Sequence, residues 1–108
     1  MRPRFSVASE ADIERKDSRA ARAVGWFVEK IMRCGRNGFP DRFYARARPE
    51  DVCPHCGRGR VILMEWKDPD DGEVSAQQRH RHTELRAAGV EVHVVDNLED
   101  ARRIRGDA

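Results

Sequence analysis

Long hydrophobic runs are missing from this 108-residue sequence. No apolar stretch approaches the ~20 residues that a membrane-spanning helix needs, and the mean hydropathy is −0.80. The opening Met1-Arg2-Pro3-Arg4-Phe5 lacks an apolar h-region, so a secretory leader is not expected. Cysteine is scarce, and three residues do not make a disulfide framework. Lysine is scarce too: Lys16, Lys30 and Lys67 are the only lysines among 21 basic residues. The rest are arginines, whose planar fork suits phosphate and guanine better than a point charge does.

Charge itself is abundant, at 37% of the chain against a usual share of about 25%. The formal net charge is only +2, but residues 1–48 carry 12 basic and 6 acidic side chains, net +6, while residues 49–108 carry 9 and 13, net −4. The hydrophobic 39% falls in short runs that can build one small core. The length allows one domain over residues 1–108, and the chain reads as soluble and intracellular. The basic first half suggests an anionic partner, nucleic acid first. An arginine-rich solvated surface from a GC-rich genome accounts for the same composition.

Residues 9–24 predict a helix ended by Gly25, with a thin apolar stripe of Ile13, Ala20 and Val24 and with Asp17 where a core residue is expected. A strand is expected over Trp26–Met32, with Trp26 and Val28 on one face and Phe27, Glu29 and Ile31 on the other. A turn at 35–40 leads to a second strand, Asp41–Arg48, in which Phe43, Ala45 and Ala47 alternate with Tyr44 and arginines. A polar insert at about 49–60 contains Cys53-Pro-His-Cys56. Val61–Lys67 reads as a buried central strand and residues 68–72 as a loop. Ser75 and Gln78 form a capping box for a helix that Gly89 closes. A strand over Val90–Val95 and a short helix capped by Asn97 complete an α-β-β-β-α-β-α order.

The informative segments are Phe39-Pro-Asp41 and Glu65-Trp-Lys67. Strand alternation puts Glu65 and Lys67 on one face, inside an otherwise apolar strand where unpaired charge is expensive. A mutual salt bridge would explain them. If the two strands are hairpin neighbours, however, Asp41 and Glu65 converge at one end of the sheet. Two carboxylates and a strand carbonyl suit Mg²⁺ or Mn²⁺, and a lysine beside them can hold a phosphate or position an attacking water.

Taken in order, Ile13-Glu14, Gly25-Trp26, Gly35 to Arg42, Met64 to Lys67, Ser75 to Gln78, Leu85 to Gly89 and Val94-Val95-Asp96 resemble the VRR-NUC (virus-type replication-repair nuclease) domains of the PD-(D/E)xK superfamily. The resemblance implies a restriction-endonuclease-like α/β fold: an α-β-β-β-α-β core, a mixed central sheet and a short C-terminal helix. It also implies a Mg²⁺- or Mn²⁺-dependent deoxyribonuclease. Asp41, Glu65 and the Trp66 carbonyl would be metal ligands, and Glu14 would complete the shell directly or through water. Lys67 would contact the scissile phosphate or the water, and Gln78 would lie near the active site unless it serves only as a helix cap. Stand-alone members look like small viral or prokaryotic enzymes, hence cytoplasmic, that pair as homodimers and act on branched DNA. No membrane partner is implied. Arg36, Arg42, Arg46 and Arg48 are the candidate DNA-backbone contacts.

Cys53 and Cys56 have zinc-knuckle spacing, but a closed site needs four ligands. Cys34, His55, His80, His82 and His93 are the available supplements, and a second chain could donate its own knuckle. A hairpin tip with reduced thiols explains the pair as well. His82 falls one helical turn after Gln78 and towards the sheet; neither it nor His80 is assigned a catalytic role. The alternative to a nuclease is a non-catalytic DNA-binding or scaffold protein with the same fold and a small zinc module.

Overall fold

The computed structural model describes residues 9–32, 38–70 and 72–107. The elements are α1 (Glu10–Ala23), β1 (Phe27–Lys30), β2 (Arg42–Arg46), β3 (Arg60–Trp66), α2 (Ala76–Ala87), β4 (Glu91–Val95) and α3 (Leu98–Arg105). The order is the expected one; β1 and β2 are shorter at both ends, β3 is shifted one residue earlier, and β4 begins one residue later. The helices start where oxygen-bearing caps stand: Ser9, Ser75 and Asn97 each accept a backbone N–H from three residues on. No helix among the described residues is long and apolar enough to cross a membrane.

The strands form one mixed sheet in the order β1-β2-β3-β4. β1, β2 and β3 are antiparallel neighbours, while β4 joins β3 in parallel through the α2 crossover. β3 is buried over Ile62–Trp66. Ile62, Met64 and Trp66 join Trp26, Val28, Tyr44 and Val95 in a core with Ile13 and Ala21 of α1 and Ala101 of α3. Leu63 and Glu65 emerge on the other face by strand alternation. The apolar run in β3 therefore reflects burial on two faces.

Asp17 is not a weak point in the packing of α1. It is fully buried, accepts the Tyr44 hydroxyl at 2.8 Å and pairs with Arg105 of α3. Burial, followed by the Asp17 charge, pushes the Tyr44 hydroxyl up, so it stays a proton donor. The inward face of β2 holds Arg42, Tyr44 and Arg46. Phe43 instead meets Phe27 edge to face at 6.1 Å, and Phe27 is exposed.

Candidate functional site

Antiparallel pairing of β2 with β3 decides where Asp41 lies. Its backbone N–H donates to the Met64 carbonyl at 3.1 Å, and its Oδ2 accepts the Trp66 N–H at 2.9 Å. Asp41 is therefore fastened across the strand that carries Glu65 and Lys67. Gly38, at φ +90°, makes the approach tighter. A Cβ there would stand 2.7 Å from the Gln77 carbonyl oxygen, so the turn leading to Asp41 lies against the first turn of α2.

Glu65 and Lys67 share a face, with Lys67 Nζ 3.6 Å from Glu65 Oε2. Gln78 joins them: its Nε2 donates to Glu65 Oε2 at 3.0 Å, and its Oε1 accepts from Lys67 Nζ at 2.8 Å. The same Oε1 accepts the Ser75 N–H at 2.9 Å, so one side chain both caps α2 and ties the acid to the amine. Glu65 is 2% exposed. Burial, then the Asp41 charge and a hydrogen bond shared with Asp41, push its pKa up to about 8.

His82, one turn after Gln78, is buried beneath this group with Nε2 3.6 Å from Glu65 Oε1. Burial, then the charges of Arg86 and Lys67, lower its pKa, favouring the neutral imidazole. Glu14 is also buried, but Arg42 Nε holds its Oε2 at 2.8 Å and Lys30 Nζ lies at 3.4 Å. Its carboxylate is thus engaged in an internal ion pair. Glu10, one turn earlier, is raised by burial and then by the Asp41 charge, with Lys67 acting in the opposite sense. Sequence reasoning passed over Glu10 and placed His82 towards the sheet without giving it a role. The signal for each was a spacing of four residues, from Glu14 and from Gln78, which places each pair on one helix face.

The arginines need correction. Arg42 is taken up by Glu14. Arg46 is bound by Asp51 at 2.6 Å and Asp107 at 2.9 Å, donates to the Val24 carbonyl and stacks on Trp26 at 4.3 Å. Both are buried, so neither presents its guanidinium to an outside anion. Arg48 is exposed; Arg36 lies outside the described residues, as does Cys34.

In the insert, Cys53 N–H donates to the Arg58 carbonyl and Gly57 N–H to the Cys53 carbonyl, each at 2.9 Å. Cys53 and Cys56 are free thiols. The backbone N–H of His55, then that of Cys56, lowers the Cys53 thiol. No group of three or more His, Cys, Asp or Glu is placed to hold a metal among the described residues. The donor set nevertheless fits a hard divalent cation. The Asp41 charge disfavours the Glu65 anion in the absence of a cation, a buried Glu65 oxygen lacks a hydrogen-bond partner, and oxygen ligands are what such ions take.

No family model matches the sequence, and no curated protein does. Among solved structures, one described as a VRR_NUC domain superposes with a TM-score of 0.68 at 22% identity, over 92% of this chain and 97% of that one. The chain has the fold of a VRR_NUC domain. The mixed four-stranded sheet flanked by helices is accordingly a restriction-endonuclease-like core, and it carries the Asp41–Glu65–Lys67 group.

Proposed function

We propose that the chain is a metal-dependent deoxyribonuclease that hydrolyses phosphodiester bonds at the Asp41–Glu65–Lys67 group. The observation that carries this reading is the convergence itself: Asp41 held against β3 by the Trp66 N–H, beside Glu65 and Lys67, which Gln78 ties together. Asp41, Glu65 and the Trp66 carbonyl would hold Mg²⁺ or Mn²⁺. Glu10, which feels the charges of Asp41 and Lys67, would be the acid that α1 brings towards them, with Glu14 fixing that helix through Arg42. When bound, the cation supplies Lewis-acid stabilisation of charge on the phosphate and a more acidic water.

The remaining steps belong to the chain. Lys67 Nζ, aimed by Gln78 Oε1, would donate to a non-bridging phosphate oxygen or orient the attacking water. Burial of Glu65 excludes bulk solvent and strengthens these interactions. Arg48 would contact the DNA backbone. Branched or double-stranded DNA is the substrate class we propose, with two copies of the chain acting together.

The test is cleavage of supercoiled plasmid, flap and four-way-junction DNA with Mg²⁺ or Mn²⁺, using wild type, Glu65→Ala and Lys67→Ala. Cleavage by wild type that chelation and both substitutions abolish is expected. Equal behaviour of the three proteins would overturn the reading. Retention of DNA without cleavage would favour a binding protein on the same fold.

A further inference from the structure

Glu65 Oε1 and His82 Nε2 are the buried side-chain polar atoms without a hydrogen-bond partner among the described residues. They face one another at 3.6 Å, on side chains 2% exposed or less. That separation exceeds the ~3.2 Å limit of an N–H···O bond. It is also too short for a water between them, since two bonds of ~2.8 Å meeting near the tetrahedral angle set their outer atoms about 4.6 Å apart. Buried polar atoms are almost always paired, so this pair calls for an explanation.

The surroundings narrow it. Glu65 Oε2 already accepts from Gln78 Nε2, and Gln78 and His82 stand four residues apart on α2. One helix face therefore addresses both oxygens of Glu65. A small rotation of the carboxylate would bring Oε1 to the imidazole. Each carboxylate oxygen has two lone pairs, so Oε1 can accept from His82 and still face a cation.

The geometry points to His82 as the positioning residue of the carboxylate pair: its Nε2–H takes Glu65 Oε1 when a divalent cation seats against Asp41 and Glu65, and so sets the orientation in which Glu65 meets that cation. This assignment rests on the nuclease reading above. Hydrogen bonds that orient a metal ligand typically change affinity by 10–100-fold when lost.

Mn²⁺ titration by calorimetry of the full chain tests it, with wild type, His82→Leu and His82→Gln. The Leu variant is expected to bind Mn²⁺ about tenfold or more weakly. The Gln variant, which keeps an N–H donor at similar reach, is expected to stay within about threefold of wild type. Equal affinity of the Leu variant and wild type would overturn the assignment while leaving the nuclease reading intact. Wild type that binds no Mn²⁺ would overturn both. Should the Leu variant fail to fold, ¹⁵N-histidine NMR of wild type gives the answer: a shift of His82 Nε2 on Mg²⁺ loading supports the closing contact, and an unchanged resonance overturns it.

Discussion

Replacing Arg105 by Met tests how α1 is held beneath the sheet. Arg105 and Asp17 are 2% and 0% exposed and form an ion pair. Asp17 otherwise accepts only the Tyr44 hydroxyl among its described side-chain bonds. Removing one member of a buried pair costs about 3–5 kcal/mol, because the other charge stays buried without compensation. The Tyr44 hydrogen bond offsets about 1 kcal/mol of that. The lost bond from Arg105 to Asp107, 2.8 Å in the structure, adds a similar amount back, although Arg46 and Trp26 still hold Asp107. A net loss of about 3–4 kcal/mol is expected, a large share of a total of ~5–15 kcal/mol. Urea unfolding followed by the fluorescence of the buried Trp26 and Trp66 gives the midpoint and slope. The double variant Asp17→Leu/Arg105→Met should recover most of the loss, since apolar replacement of a buried pair is often neutral or stabilising. A single variant within about 1 kcal/mol of wild type would refute the reasoning, as would a double variant less stable than the single.

Arg46→Met should lower stability by about 3 kcal/mol and leave the salt dependence of DNA binding unchanged. Arg48→Ala should leave stability within about 0.5 kcal/mol and reduce the salt slope by about one; melts and binding across a salt series separate the two. Acid should destabilise the fold through Asp51 and Asp107. Arg46 lowers Asp51 below its ordinary 3.8, and at Asp107 hydrogen bonds from Arg105 and Arg46 together outweigh a larger opposing effect of burial. Both folded values lie below the unfolded one, so their stabilisation is present above pH 3.8 and is lost as pH falls through the folded values. Thermal melts against pH should therefore fall off less steeply in Asp51→Asn. Metal analysis of purified protein tests the Cys53–Cys56 knuckle: a full zinc equivalent per chain would show a closed site completed by further ligands, and less than about half an equivalent would exclude one.

The sequence was most legible where local rules and tertiary packing agree. β3 stood out because burial on both faces leaves a continuous apolar run, and its Glu-x-Lys interruption then marked the site. The Ser75–Gln78 box was legible for the same reason, although capping and site contact looked like competing roles. They coexist because the two ends of the amide reach different partners. Asp17 was opaque because its partner Arg105 lies 88 residues away. Arg42 and Arg46 were assigned to DNA because charge in a sequence does not say which strand face turns inward. Their partners Glu14, Asp51 and Asp107 come together only in the folded chain. Glu10 and His82 were visible as spacings, but whether each had a partner was not.

The central claim is that Glu65 and its neighbours carry out metal-dependent hydrolysis. The most direct test is the cleavage rate of a four-way junction by Glu65→Gln beside wild type at saturating Mg²⁺. Gln preserves the shape and keeps an oxygen that can accept from Gln78 Nε2, while removing the anionic ligand. The account predicts a loss of at least about a thousandfold with the fold intact, in the range seen when a key charge-stabilising group is removed. A rate within about tenfold of wild type would contradict it.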